Sequence, residues 1–162
     1  MTAAEPVVVL LGYVLRHFRA GVFSLLAGNR ENFPASGNGW EIHISNTGQL
    51  RLLLDDGPNQ TVVTLGPDSA SLNTPHVVAL VFDGADLIGA SELATASGAF
   101  AFDPASASPA GIGAYRATTP EASPNWDCLV WAFFRGADKV SGIAADPQGF
   151  CQTVHAAMVN GA

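Results

Sequence analysis

The chain has 162 residues, of which 48% are hydrophobic and only 13% are charged, and its formal net charge is -7. This length predicts a single domain over residues 1–162 with a sizeable core, and the high apolar content excludes a disordered chain. The seven lysines and arginines are scattered through an acidic sequence. The composition therefore excludes a basic groove for the phosphate backbone of a nucleic acid.

The first apolar run, residues 7–14, follows Glu5 and is soon interrupted by basic residues. It is shorter than the roughly 18–20 apolar residues of a membrane span, and it has neither the basic start nor the cleavage site of a signal peptide. Its three valines favour a buried strand. We therefore expect a chain made in a cytosol, without a membrane span, in which Cys128 and Cys151 stay reduced.

The clearest pattern lies in residues 40–57. Trp40, Ile42 and Ile44 alternate with polar residues, as in a strand with one buried face. A Ser-Asn-Thr-Gly turn leads into a second strand, in which three leucines alternate along one side. A hairpin alone is only marginally stable in water, so the rest of the chain has to cover its apolar face.

Further short strands follow at close spacing. Residues 77–82 have no polar side and predict a strand buried on both faces, and Asp83-Gly84 predicts a hairpin that returns over residues 85–92. Residues 126–134 form the most aromatic run, and we expect this strand to be largely buried. Other predicted strands cover residues 61–65, 98–103 and 110–115.

The C-terminal segment predicts one short helix. Asp146 before a proline is typical of a helix N-terminus, and apolar residues recur every four positions until Asn160-Gly161. About ten short strands and one terminal helix predict an all-β sandwich whose pairing is mostly antiparallel.

Over about residues 20–160 the order of five motifs resembles a laminin G-like domain, a member of the concanavalin A-like lectin and glucanase superfamily. These motifs are GW-x-I-x-I from Gly39, TGQLRLLLDDG from Thr47, HVVALVFDG from His76, AGIGAY from Ala110 and WDCLVWAFF from Trp126. The resemblance implies an antiparallel jelly-roll sandwich of two sheets with a short C-terminal helix. The chain departs from the family at Pro75, where a tryptophan is common, and in the residues after Asp83-Gly84.

The superfamily contains glucanases, which use two carboxyl groups roughly 5–9.5 Å apart. No predicted strand offers such a pair, because the glutamates, including Glu41 and Glu92, stand isolated along the chain. We therefore expect that the protein is not an enzyme. The four histidines have no metal-ligand spacing, and His76, at the start of a buried strand, is interpreted as a hydrogen-bonded structural residue.

Laminin G-like domains often hold Ca²⁺ at one rim, through oxygen ligands from converging loops. The candidate ligands here are Asp55, Asp56, Asp83 and Asp86. Aspartate before glycine is also ordinary turn chemistry, which is the interpretation that we favour. We expect no required cofactor, with Ca²⁺ as the alternative.

A sugar site would combine aromatic rings with polar side chains. Tyr115 and Trp126 flank a polar loop and stand beside Arg116 and Asn125, so these four residues are the candidate ligand-binding set. Aromatic residues at strand ends also serve as the edge of a core, and this alternative stays open.

Two functions fit this sequence. The first, implied by the resemblance, is a structural or accessory protein of a bacteriophage virion, of the capsid-decoration, tail-fibre or baseplate type. Such a protein would be made in the host cytoplasm and would assemble as a homo-oligomer on a capsid or tail, with residues 7–14 lying on a neighbour. The alternative is a lectin module that binds a cell-surface glycan, with or without Ca²⁺.

Overall fold

The computed structural model describes residues 5–17, 20–21, 23–28, 39–56, 59–100 and 125–161. Within these ranges the chain forms nine strands, one 3₁₀ helix and two α-helices. The strands are β1 (Val7–His17), β2 (Ser24–Gly28), β3 (Gly39–Ile44), β4 (Leu50–Asp55), β5 (Gln60–Thr64), β6 (Pro75–Phe82), β7 (Asp86–Ser91), β8 (Thr95–Ala99) and β9 (Asn125–Arg135). The helices are the 3₁₀ helix Pro67–Ala70, α1 (Ala137–Ala145) and α2 (Pro147–Asn160).

The strands form two sheets that pack face to face. One sheet has five strands in the order β8-β7-β6-β1-β9, and the other has four in the order β2-β3-β4-β5. All neighbouring strands within the sheets are antiparallel. The predicted fold class, an antiparallel jelly-roll sandwich of two sheets with a short helical region at the C-terminus, is confirmed.

Strand β1 is buried on both faces. Val9, Leu11 and Tyr13 point into the core between the sheets, whereas Val8 and Leu10 pack with residues of the two helices on the other side. The strand lies between β6 and β9 and pairs with both along its length. The expectation that residues 7–14 lie on a neighbouring molecule is therefore wrong, because this segment is a central strand of the protein's own sandwich.

The predicted hairpin is β3 and β4. Trp40 pairs with Leu54 and Ile44 with Leu50, and all four side chains lie in the core between the sheets. The opposite face of the hairpin, which the alternation predicted to be solvent-exposed, is buried as well. Its polar residues Glu41 and His43 are both buried and lie side by side, with Oε2 and Nδ1 3.4 Å apart.

Strand β9 is less buried than its aromatic composition predicted. Leu129 is 46% exposed and Trp131 is 41% exposed, so the expectation that both are mostly buried is wrong. The reason is the position of β9 in the fold: β8 and β7 pack against β5 and β4, and β9 is the opposite edge of a sheet that has one strand more than its partner. A bulge at Leu129 also interrupts its pairing with β1.

The C-terminal region contains two helices where one was predicted. Helix α2 begins and ends as expected: the Asp146 carboxylate accepts a hydrogen bond from Gly149 N at 2.9 Å, and Gly161 closes the helix with φ of 69°. Helix α1 was missed because no side chain caps it, and Val140 is its buried residue. No helix within the described ranges is long and apolar enough to cross a membrane.

Candidate functional site

The inner side of β9 forms a shallow aromatic surface at the edge of the sandwich. We call it the β9 groove and define it by Trp126 and Trp131 of β9 together with Trp40 of β3. Trp126 and Trp131 pair with Leu15 and Leu11, whose side chains point into the core between the sheets, so both tryptophans face the same way. Trp131 is 41% exposed and Trp126 is half-buried, so both rings keep part of their surface in solvent.

Trp131 is held in place by a second tryptophan. Its ring stacks on that of Trp40, with centroids 5.8 Å apart and planes inclined by 28°. Trp40 is fully embedded at 3% exposure, whereas Trp131 keeps two fifths of its surface in solvent. A stacked pair of this kind restricts the rotation of the exposed ring.

Two of the four predicted sugar-binding residues lie next to this surface. Trp126 is half-buried and packs against the core, and Asn125 is exposed at the first position of β9. Tyr115 and Arg116 lie outside the described residues, so the predicted set remains a prediction. Next to Trp126, Asp127 forms an exposed ion pair with Arg16, and the oxygen and nitrogen are 2.7 Å apart.

The four aspartates predicted as calcium ligands serve turns and strand ends. Asp56 accepts a hydrogen bond from Asn59 N at 2.8 Å, and Asp83 accepts from the backbone N–H groups that follow it, at 2.8–2.9 Å. The Asp55 carboxylate accepts from the side chain of Gln60 at 2.9 Å. Among the residues that the structure describes, no three His, Cys, Asp or Glu side chains are placed so that they could hold a metal ion.

A chain of hydrogen bonds lies at the start of β6. His76 Nε2 is 2.8 Å from Ser71 Oγ, and His76 Nδ1 is 2.6 Å from Glu92 Oε1. The predicted hydrogen-bonded histidine is therefore confirmed, and one of its partners is Glu92. The antiparallel register of β6 and β7 pairs Val78 with Ser91 and so brings Glu92 opposite Val77. Residue pairs counted outward from a turn between Asp83 and Asp86 also place Glu92 opposite Val77, so the register of this hairpin is the sequence signal for the contact.

Two titratable groups next to His76, namely Glu92 and Tyr13, have shifted pKa values. Burial alone would raise the pKa of Glu92. The hydrogen bonds from His76 and from the Val77 N–H lower it by more, so the pKa of the carboxyl lies below its ordinary value. Burial, together with the negative charge of Glu92, raises the pKa of Tyr13. The Tyr13 hydroxyl therefore stays protonated; it donates to Ser69 O, and the ring lies 5.7 Å from that of His76.

Comparisons with known proteins give the fold class. No model of a known protein family matches the chain, and no curated protein matches it. Among solved structures, a tryptophan-to-alanine mutant of HCR D/C VPI 5995 is similar over 90% of this chain and 37% of its own length, with a TM-score of 0.52 and 10% identity.

Two further structures are similar over a smaller part. The Ruminococcus gnavus IT-sialidase CBM40 bound to sialyllactose aligns over 59% of this chain at a TM-score of 0.44 and 17% identity. The binding domain of Botulinum neurotoxin DC in complex with SialylT aligns over 58% of this chain and 23% of its own, at a TM-score of 0.43 and 12% identity. The chain spans about half of the CBM40 structure, 54% of its length. By its fold, the protein is a jelly-roll β-sandwich.

Proposed function

We propose that this protein is a glycan-binding module of the lectin type and that the β9 groove is its binding site. The observation that carries the proposal is the half-exposed Trp131 stacked on the buried Trp40. Tryptophan is enriched at surfaces that another molecule covers, and especially among the residues that contribute most to binding. The C–H faces of a sugar ring are one partner that fits such a flat apolar surface, while its hydroxyls reach polar neighbours.

The extent of the groove favours an oligosaccharide over a single sugar. The β1 partners of Trp126 and Trp131 are four residues apart, so the backbone positions of the two tryptophans are about 13 Å apart along the strand. Asn125, at the exposed end, supplies an amide that can donate and accept hydrogen bonds. Tyr115 and Arg116 complete the proposed ligand-binding set as the sequence predicts it.

The test is a glycan array with the full chain, followed by titration of each bound glycan while tryptophan fluorescence is recorded. The panel includes sialyllactose, the sugar named for the CBM40 structure. Trp131→Ala should weaken binding at least about tenfold, because the loss of a central aromatic anchor commonly costs 2 kcal/mol or more. Leu93→Ala is the matched control, since Leu93 is an exposed hydrophobic residue, at 53%, in the β7–β8 turn. Equal affinities for the two variants would refute the proposed site.

We also propose that sugar binding proceeds without glycosidase activity, since none of the described strands β1 to β9 carries two carboxylate side chains. A panel of β-glucans and galactans tests this, and turnover that disappears when Glu41, Asp55 or Asp56 is replaced by alanine would contradict it. Calcium assistance is the lesser proposal. Binding that is unchanged by a chelator would remove it.

A structural role in a virion is the alternative, and membership of the laminin G-like family is part of it. It is favoured by the order of the five motifs and by the long edge strand β9, since an exposed apolar edge invites association. Because residues 7–14 are buried, the contact would have to use another surface. Co-sedimentation with phage particles, together with a failure to bind any glycan on the array, would favour this alternative.

A further inference from the structure

Three side chains at the start of β6 are connected in the order hydroxyl, imidazole, carboxylate. Ser71 Oγ lies 2.8 Å from Nε2 of His76, and Nδ1 of the same ring lies 2.6 Å from Oε1 of Glu92. His76 and Glu92 are buried, with exposures of 2% and 8%, whereas Ser71 is exposed. The exposed residue of the three is therefore the one that carries the hydroxyl.

We propose that Ser71, His76 and Glu92 form a nucleophilic triad in which Ser71 Oγ accepts acyl groups from carboxylic esters. A nucleophilic serine needs a base within hydrogen-bond distance, and that base needs a third group to orient it. Both distances fit. The carboxylate lies on Nδ1 and the hydroxyl on Nε2, which is the order that lets the imidazole remove the serine proton.

The carboxylate is fixed on both of its oxygens. Oε2 of Glu92 accepts a hydrogen bond from Val77 N at 2.9 Å, while Oε1 faces His76. An ionised carboxylate only accepts hydrogen bonds, so the proton between Glu92 and the ring belongs to Nδ1. In the neutral ring the lone pair of Nε2 then points at Ser71 Oγ, as a general base requires.

The segment that carries Ser71 is held on both sides. Ser71 N donates to Asp68 O at 3.3 Å, which closes the 3₁₀ helix, and Asn73 N donates to Leu15 O at 2.8 Å. Leu72 forms a parallel bridge with Leu15. The hydroxyl is thus held against His76 by backbone contacts on either side, which is the positioning that catalysis by proximity needs.

The reaction balances with water as the second substrate. Ser71 Oγ bonds to the acyl carbon as its proton passes to Nε2 of His76. The ester C–O bond breaks, and the leaving alkoxide takes that proton and departs as an alcohol. Water then adds to the acyl carbon and gives its proton to Nε2, the acyl–Oγ bond breaks, and Ser71 recovers its proton as a carboxylic acid is released.

We expect acylation to be easier to detect than turnover. The backbone N–H of Ser71 already donates to Asp68 O, so it is not available to stabilise an oxyanion. One missing donor of this kind typically costs about 10²–10³ in kcat. Covalent labelling is therefore the readout. The triad shares no residue with the β9 groove, so its failure and that of the proposed glycan site are distinguishable.

The experiment treats the full chain with a fluorophosphonate and with a small activated ester, and maps the adducts by mass spectrometry. Labelling at Ser71 should be at least about tenfold faster than at Ser97, an exposed serine of β8, and should be lost in Ser71→Ala. Glu92→Gln should slow it at least about tenfold while circular dichroism shows the same fold. Absence of an adduct at Ser71, or an unchanged rate in folded Glu92→Gln, would overturn the proposal.

A second variant keeps the test decisive if Glu92→Gln fails to fold. Ser71→Cys leaves His76 and Glu92 in place and puts a thiol beside Nε2. Its alkylation by iodoacetamide should be at least about tenfold faster than that of the exposed Cys128, because a neighbouring imidazole promotes the thiolate. Equal alkylation rates at the two positions would refute activation by His76.

Discussion

The backbone N–H of Val77 donates to Oε2 of Glu92 at 2.9 Å, which ties together the open ends of the β6–β7 hairpin. Glu92 directly follows β7, and the side chain of Gln152 in α2 donates to its carbonyl oxygen at 3.1 Å. One residue thus connects two strands and a helix. Its carboxyl has a pKa below the ordinary value of 4.5, because the hydrogen bonds outweigh the opposing effect of burial.

This lowered pKa predicts how stability depends on pH. Since the folded pKa lies below the unfolded one, the ionised carboxylate stabilises the fold above the unfolded value, and this stabilisation is lost as pH falls through the folded pKa. Glu92→Gln should lower the free energy of unfolding by about 1–3 kcal/mol near neutral pH. The deficit should shrink in acid. Urea unfolding at about pH 7 and about pH 3.5 measures it, and an equal deficit at both would contradict the assignment.

Alanine substitutions at a buried leucine, Leu80, and at a half-exposed one, Leu129, should differ in their effect on stability. Leu80 is completely buried in the core between the sheets, so Leu80→Ala should cost about 2–5 kcal/mol through lost transfer energy and a cavity. Leu129→Ala removes a side chain that is 46% exposed and should change stability by no more than about 0.5 kcal/mol. Chemical denaturation compares the two, and similar costs would mean that β9 is buried in solution.

The features that could be predicted from the sequence are those that short segments decide by themselves. The alternation in β3 and β4, the Asp83-Gly84 turn and the capping of α2 by Asp146 and Gly161 are local patterns, and each is present in the structure. An alternating strand or a helix end is determined mainly by residues close to it in the sequence, so composition and spacing are sufficient to predict it.

The features that could not be predicted from the sequence depend on contacts between strands and between the two sheets. An aromatic strand such as β9 favours burial, but its exposure is set by how many strands the opposite sheet supplies. Glu41 lies beside His43 and Glu92 beside His76 in the structure. The half-exposed Trp131 and the Ser71–His76–Glu92 series therefore appear only in three dimensions.

The two cysteines should differ in reactivity. Both are free thiols; Cys128 is exposed, while Cys151 is buried under the five-stranded sheet with its Sγ 3.7 Å from Ala90 O. Burial and the charge of Glu92 raise the pKa of Cys151 to about 12, so its thiolate is scarce near neutral pH. A disulfide reagent should titrate one thiol in the native protein and a second only in denaturant. Two fast-reacting native thiols would place Cys151 in solvent.

Removal of residues 1–11 should unfold the protein. The deletion takes away the first part of β1, including Val9 and Leu11, from the five-stranded sheet and leaves the facing parts of β6 and β9 without their shared neighbour. Removal of residues 1–4 alone, which precede the strand, is the matched control and should leave the melting temperature within a few degrees. A cooperative unfolding transition in the longer deletion would show that β1 is dispensable.

Two glycines should respond in opposite directions to alanine. A Cβ at Gly89 in β7 would lie 2.6 Å from Val63 Cγ2 and 3.0 Å from Leu52 Cδ1, so the facing sheet would have to move. Gly89→Ala should therefore destabilise the fold by about 1–3 kcal/mol. Gly142 in α1 has open space around its added Cβ, and Gly142→Ala should stabilise by about 0.5–1 kcal/mol, since alanine loses less backbone entropy in a helix. Thermal denaturation of the two variants measures the difference, and a neutral Gly89→Ala would mean that the two sheets lie farther apart at this point.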